Sequence, residues 1–321
     1  MRLTTPVGLI TRATLATVTS VAVLAGSLTV VLVIAITSGM VFSAYAADLL
    51  GFTHISLPSV VWSVVWSLCG LCAVVWFTRA IASAVRTGRA DLLHRTTPLS
   101  KTAVDEPSTI EYTVGRLARQ IDVPKPPIRI DPTATPLAYT TSRPDDPIVR
   151  TSHDATPVIV VSQGLIETLS ESELSAVLAH ELAHISNDDL RLLTVVLVPL
   201  IAAETLTPDE GSTSTVFEVC GHILSFIAVI GVGVFSRGRE LAADRAAAEL
   251  TGDPAALATA LEKLDEAASA KPTADLREHA RSTKAITILP TVGDGPTSTG
   301  LRSTHPPLEM RLEQLRSLAA D

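Results

Sequence analysis

Two long stretches near the N terminus contain no charged side chain, and they constrain the fold more than any other feature. Residues 13 to 47 and residues 49 to 78 lack Asp, Glu, Lys and Arg. A membrane helix needs about 20 mostly apolar residues, so each stretch is long enough to cross a bilayer. We therefore predict an N-terminal hairpin of two transmembrane helices, at about residues 17–36 and 59–77.

A cleaved signal peptide is the alternative interpretation of the first stretch. The segment SAYAAD carries Ala44 and Ala46 at a small-x-small spacing, as a cleavage site would. However, the apolar part is much longer than the roughly 7–15 residues of a signal peptide core. The sequence therefore favours a retained membrane helix.

The distribution of charge predicts the orientation of these spans. Residues 1 to 103 hold seven Lys and Arg and two Asp and Glu, whereas the remaining residues hold 18 and 31. The loop between the spans has Asp48 and no Lys or Arg, and basic residues lie at both outer ends. The positive-inside rule then places both ends in the cytoplasm, in a multi-pass plasma-membrane protein. The acidic remainder argues against a nucleic-acid partner.

The segment VLAHELAHISNDD, residues 177 to 189, has the pattern of a metal-binding helix. Residues four apart lie one above the other on a helix, so His180 and His184 can bind one cation. Glu181 lies about 100° further round the helix, close enough to reach a water on that cation. Two imidazoles with an adjacent carboxylate predict a zinc site in which Glu181 is the general base.

Short strands precede this helix. The segments PPIRI, PLAYTT and TPVIVVSQGLI look like strands separated by turn-rich loops. Ser170 and Glu173 have the spacing of a capping box at the start of the metal helix. We therefore expect a mainly α-helical domain with a small β-sheet, in which PVIVV or PLAYTT binds substrate by strand addition.

A catalytic zinc ion needs a third protein ligand and an open position for water. Glu240 is the best placed, because it lies on the strongly helical segment SRGRELAADRAAAEL. Asp244, one turn further on, can accept a hydrogen bond from a ligating imidazole. The downstream candidates are Glu204, Glu210, Glu218, His222 and Glu240.

Three segments together, HELAHISNDD, SRGRELAADRAA and STHPPLEMRLEQL, resemble the HtpX-type membrane-bound zinc metallopeptidases, relatives of the CAAX prenyl proteases. The resemblance extends from about Asp105 to the C terminus. It implies a zincin-like metallopeptidase domain at residues 104–321, facing the cytoplasm, after a membrane region at residues 1–103. It also implies one Zn²⁺ per chain and an endopeptidase that acts on membrane or misfolded proteins in membrane-protein quality control.

The resemblance also implies roles for individual residues. It makes His180, His184 and Glu240 the metal ligands and Glu181 the base. It implies that Asn187, Asp189 and Asp244 support the ligands, and that the C-terminal motif with His305 and Arg311 approaches the site. His305 and Tyr139 are the candidates for stabilising the oxyanion. The family's Asn-Ala-Phe-Ala segment is replaced here by TPLAYTT, so we expect Leu137 to Thr141 to serve in its place.

Two shorter apolar segments lie between His184 and Glu240, at Leu192–Ala203 and Ile223–Phe235. Each reaches only about 20 Å as a helix, which is less than the ~30 Å of a hydrocarbon core. We predict a hydrophobic hairpin at about residues 192–235 that lies partly in the membrane; two buried helices are the alternative. Cys69 and Cys72 lie in the second span and Cys220 stands apart, so no disulfide framework is indicated.

Two other functions remain open at this point. A zinc-binding membrane scaffold without activity would need no general base, and this sequence has Glu181 in the base position. A prenyl-protein processing peptidase would generally have more spans around a chamber, and this sequence has two clear ones.

The topology can be tested by labelling in intact cells, starting from a variant in which the three cysteines are replaced by alanine. A cysteine introduced in the loop from Asp48 to Leu57 should react with a membrane-impermeant thiol reagent, because the loop is expected to lie outside. A cysteine introduced at Ser152 should react only after the cells are permeabilised. The reverse pattern would contradict the predicted orientation.

Overall fold

The computed structural model describes residues 25–26, 28–29, 32–33, 36, 40, 59–101, 107–147, 157–190, 201, 216–269 and 306–320. Its described residues form two compact units. The first takes those within Val85–Leu197 and Val229–Asp321, and the second takes those within Thr17–Ala84 and Val198–Ala228. The domain boundary expected near residue 103 stays a prediction.

Helix α1 is longer than the second predicted span. It begins at Ser59, as expected, but it continues to His94 instead of ending near Phe77. No proline interrupts the sequence over this range, so nothing stops the helix where the apolar segment ends. Its part from Ser63 to His94 is long and apolar enough to cross a membrane.

The first predicted span lies largely outside the described residues. The eight described residues between positions 25 and 40 are helical. The proposed cleavage segment and the loop from Asp48 to Leu57 are not among the described residues.

The sheet has four short strands, β1 (Thr97–Pro98), β2 (Ile128–Asp131), β3 (Ala138–Thr141) and β4 (Val158–Ser162), in the order β1-β2-β4-β3. Strands β2 and β4 are parallel, and β3 and β4 are antiparallel. The three predicted strands are confirmed, while the two-residue β1 gave no sequence signal. Of the two strands offered for strand addition, β4 is an interior strand of this sheet, so PVIVV is excluded and β3 remains.

The described helices of the first unit share one core with a single face of this sheet. They are α2 (Pro107–Gln120), α3 (Gln163–Thr168), α4 (Glu171–Ser186), α6 (Pro254–Ser269) and α7 (Leu308–Ala320), together with the C-terminal half of α5 (Val216–Thr251). The chain is thus mainly helical with a small mixed sheet. The main core joins this sheet face to the helices, with fully buried side chains that include Val114, Leu117, Ile159, Val161, Leu178, Leu182, Leu257 and Leu315.

The predicted metal helix is α4, and its capping box is present. The Ser170 hydroxyl accepts from the Glu173 N–H, and the Glu173 carboxylate accepts from the Ser170 N–H at 2.8 Å. Lys263 on α6 also donates to Glu173, at 2.7 Å. Helix α4 packs against α2, α6 and β3, and it is buried without interruption from Ala176 to His184.

Helix α5 joins two segments that the sequence treated separately. It runs without a break from Val216 to Thr251, so it contains both the apolar segment at 223–235 and Glu240. Thirty-six residues give a helix about 54 Å long. Of the other apolar segment, only Ile201 is described. The membrane hairpin at 192–235 therefore stays a prediction. Its second helix would be the first half of α5 and not a separate short helix.

The other face of the sheet is covered by the end of α1. Tyr139, Val158 and Val160 form a small buried cluster there, packed against Leu92 and Leu93. The Tyr139 hydroxyl donates to the Leu92 carbonyl at 2.8 Å. The end of the helix is therefore tied to β3 by both apolar contacts and a hydrogen bond.

Two backbone segments approach each other closely at Gly164, at the start of α3. Its N–H donates to the Thr133 carbonyl at 3.0 Å, and a Cβ at this position would overlap the carbonyl group of Ala134. Gly164→Ala should lower the free energy of unfolding by about 3 kcal/mol, because the neighbouring backbone must move. Thermal or denaturant unfolding in detergent measures the change.

Gly115→Ala on α2 is the matched control. A Cβ at Gly115 would meet Lys125 Cδ at an ordinary 3.6 Å. This variant should be more stable than the wild type by about 0.5–1 kcal/mol, because alanine favours a helix interior. Equal stability of the two variants would contradict the close packing at Gly164.

Candidate metal centre

Three buried side chains converge on one point between α4 and α5. One donor atom from each of His180, His184 and Glu240 lies within 4.8 Å of the other two. The two Nε2 atoms are 3.1 Å apart. The Glu240 carboxylate lies 3.3 Å from Nε2 of His184 and 3.7 Å from Nε2 of His180.

The opposite nitrogen of each imidazole faces an aspartate. Nδ1 of His180 lies 3.0 Å from Asp244, and Nδ1 of His184 lies 2.7 Å from Asp189. A carboxylate beside Nδ1 keeps the proton on that nitrogen, which leaves the lone pair of Nε2 directed at the shared point. Both histidines are therefore oriented as metal ligands usually are.

Asp244 is in turn held by Arg311, which reaches it from α7. The guanidinium donates to both carboxylate oxygens, at 2.7 and 2.6 Å, and its Nη1 lies 3.6 Å from Glu240. Burial by itself would raise the pKa of Asp244, but Arg311 and His180 outweigh it and lower this pKa. Arg311 therefore lies next to the centre, beside both Glu240 and Asp244.

Asp189 is held by Arg239, a residue to which the sequence analysis assigned no role. Arg239 donates to the Asp189 carboxylate and, at 3.0 Å, to the main-chain carbonyl of Asn187. Asn187 itself is exposed and ends α4 as its C-cap. The contact that links Asn187 to the site is therefore the one from its main-chain carbonyl to Arg239. A role for the Asn187 side chain stays a prediction.

Glu181 is buried next to His180 and is held by a residue of the sheet. The Thr140 hydroxyl on β3 donates to Glu181 Oε2 at 2.6 Å, while Oε1 has no hydrogen-bond partner among the described residues. Burial raises the pKa of Glu181, and the two imidazoles partly oppose this effect. The sequence offered one indication of this role for Thr140: side chains alternate along a strand, so positions 138 and 140 lie on the same face.

Tyr139, a candidate for stabilising the oxyanion, is directed away from the metal centre. Its hydroxyl is bound to the Leu92 carbonyl, on the face of the sheet opposite to Thr140. Burial there raises its pKa. That expectation was wrong because adjacent residues of a strand point to opposite faces.

The remaining candidates are not part of the described centre. His305, Glu204 and Glu210 lie outside the described residues, as does the side chain of Glu218. His222 lies on α5 in the second unit and is exposed.

The charges of the described centre fit a divalent cation. When both histidines are neutral and all four buried carboxylates are ionised, the two guanidinium groups leave two negative charges in excess; the carboxylates are those of Glu181, Asp189, Glu240 and Asp244. Burying uncompensated charge is costly, and a cation with charge +2 removes the excess. Glu240 raises the pKa of His184, although burial by itself would lower it. The donor set of two imidazoles and one carboxylate is one that zinc accepts.

Two imidazoles, a carboxylate and a second buried carboxylate beside them are typical of metal-dependent hydrolases. The family model "Peptidase family M48" matches residues 106–319. The chain therefore belongs to peptidase family M48.

Curated relatives agree with this assignment. The Protease HtpX homolog of Moorella thermoacetica is 35% identical over 228 residues, which cover 66% of this chain and 73% of that protein. Protease HtpX homolog 1 of Streptomyces coelicolor is 34% identical over 266 residues, covering 78% and 80%. The chain is thus a membrane-bound metalloprotease of the HtpX type, and the resemblance noted from its motifs is confirmed.

Among solved structures, the crystal structure of S. mikatae Ste24p is similar with a TM-score of 0.38 and 19% identity. The match covers 69% of this chain and 52% of that chain.

The buried pair of Arg311 and Asp244 gives a prediction about stability. Arg311→Met should lower the free energy of unfolding by about 3–5 kcal/mol, because it leaves the Asp244 carboxylate buried without its cation. Denaturant unfolding of the detergent-solubilised protein measures this loss.

Arg316→Met on the same helix is the control. Arg316 forms an exposed ion pair with Glu262 at 3.1 Å. Its loss should cost about 1 kcal/mol or less, because solvent screens exposed pairs. If the two variants lose equal stability, the buried pair does not have the importance assigned to it.

Proposed function

We propose that the protein is a zinc-dependent endopeptidase of the HExxH type. In this proposal His180, His184 and Glu240 hold one zinc ion and Glu181 is the general base. The observation that carries it is the convergence of three buried donor atoms within 4.8 Å of one another, beside a buried carboxylate. The two-charge excess at the centre supports a divalent metal.

Zinc bound by these residues would polarise the scissile carbonyl and acidify a water molecule. Glu181 takes the proton of the attacking water and delivers it to the leaving amine. Oε1 of Glu181 is the oxygen assigned to this transfer, since Oε2 is engaged by Thr140. Asp189 and Asp244 keep the histidines in the ligating tautomer. His305 is proposed as the donor that stabilises the oxyanion.

The substrate is proposed to be an extended polypeptide bound along β3. This strand is at the edge of the described sheet, and its Thr140 contacts the proposed base. The N–H and C=O groups of an edge strand can pair with an added strand of any sequence. Such binding suits a protease that accepts membrane or misfolded proteins, which are the substrates we propose, in membrane-protein quality control.

The location is proposed to be the plasma membrane, with two spans in the first 103 residues and the protease domain at 104–321 facing the cytoplasm. The apolar part of α1 and the basic residues that follow it support this topology. The HtpX names of the relatives favour this function over prenyl-protein processing. A scaffold without activity is disfavoured because Glu181 is present and held in place.

Zinc content and cleavage of casein, measured side by side, test the assignment of the residues. Glu181→Gln should retain zinc and lose proteolysis, because the base is not a ligand. Glu240→Ala should lose zinc more severely than Asp244→Ala, for which a roughly 10–100-fold loss of affinity is expected.

His222→Ala is the control and should keep both zinc and activity. Full activity in Glu181→Gln would exclude Glu181 as the base. Zinc retained in Glu240→Ala but lost in His222→Ala would exclude the proposed ligand set.

A further inference from the structure

Thr140 forms the one described hydrogen bond between the sheet and the proposed base. Its Oγ1 lies 2.6 Å from Glu181 Oε2, and the two residues are 41 positions apart in the chain. Both are buried, with exposed fractions of 5% for Thr140 and 0% for Glu181. A hydroxyl that donates to a carboxylate in a buried setting forms a short and comparatively strong hydrogen bond.

Strand β3 is fixed on three sides, so Thr140 has a defined position. Within the sheet, Thr140 pairs with Ile159, and the Leu137 carbonyl accepts from the Ser162 N–H at 2.9 Å. On one face Ala138 belongs to the main core, and on the other face Tyr139 is bound to Leu92. The strand cannot shift along β4 without breaking these contacts.

The main chain of Thr140 faces the outer edge of the described sheet. In an antiparallel pair, residues exchange both hydrogen bonds with their partner at every second position. The bond between Ser162 and Leu137 places Leu137 and Tyr139 in the bonded positions. The N–H and C=O of Thr140 therefore point away from β4, to the edge where an extended substrate would add.

A general base must hold its accepting oxygen in a fixed geometry relative to the water that it deprotonates. A carboxylate on a free side chain can rotate and exchange its two oxygens. A hydrogen bond from Thr140 to Oε2 prevents that exchange and leaves Oε1 as the accepting oxygen.

We propose that Thr140 is a positioning residue for Glu181, and that it links the strand that receives the substrate to the base that activates water. The inference rests on the proposed role of Glu181 as the base. In this proposal the Thr140 side chain affects the rate of turnover, and the Thr140 main chain contributes to substrate binding.

The experiment compares Thr140→Val and Thr140→Ser in the full-length, zinc-loaded protein, with fluorescein-labelled casein as the substrate. Valine keeps the shape and the main chain of threonine but removes the hydroxyl, so kcat should fall about 10- to 100-fold with little change in KM. Serine retains the hydroxyl and should restore kcat to within about threefold of the wild type. Zinc affinity should stay close to that of the wild type in both variants. Thr140→Val should unfold at a somewhat lower temperature, because it leaves Glu181 Oε2 buried without its donor, but it should stay folded at the assay temperature.

Thr168→Val is the matched control. It removes a hydroxyl bond of the same length, 2.6 Å, that ends on the Gly164 carbonyl instead of on Glu181. Its kcat should equal that of the wild type.

Wild-type kcat in Thr140→Val would overturn the proposal, and so would a kcat loss that serine fails to restore or that is explained by loss of zinc or by unfolding at the assay temperature. Glu181→Gln is measured in parallel. If Glu181→Gln is inactive and Thr140→Val fully active, only the role of Thr140 is wrong. If Glu181→Gln is fully active, the assignment of the base is wrong, and with it the premise for Thr140.

Discussion

The concentration of buried negative charge around two histidines is the constraint on which the rest of the first unit depends. Each buried ion costs several kcal/mol of desolvation free energy, and only close partners offset that cost. The charged groups come from several elements: α4 contributes Glu181, and α7 contributes Arg311. Helix α5 contributes both Glu240 and Arg239. The three helices therefore need one another before any of their charged groups can be buried.

In the proposed function, the sheet brings the substrate peptide to this charged centre. One face of β3 contacts the proposed base through Thr140, and the main-chain groups of the same residue lie along the outer edge of the described sheet. A peptide that adds to this edge is held beside the proposed base, because both interactions depend on one short strand. Affinity for the peptide backbone and orientation of the base thus share a single structural origin in this protein.

Local patterns in the sequence predicted much of this arrangement. The metal helix, its cap at Ser170 and three strands depend on neighbouring residues, and Glu240 and Asp244 were identified from their one-turn spacing. The contacts of Thr140 and Arg239 join residues 41 and 50 positions apart, so only the folded chain reveals them. Tyr139 was assigned to the wrong face because its strand was predicted without its register. The lengths of α1 and α5 were underestimated because charge content marks the end of a membrane span but does not end a helix.

The hydrogen bond between Tyr139 and Leu92 limits how far the chain can be shortened from its N terminus to remove the apolar helix α1. A polypeptide beginning at residue 104 would leave Val158 and Val160 exposed to water and the Tyr139 hydroxyl without its acceptor. Since Tyr139 precedes Thr140 on β3, the damage would fall on the strand that touches the base. A shortened form that lacks most of α1 but retains this geometry would need to begin no later than Val85, the first residue of α1 that belongs to the first compact unit.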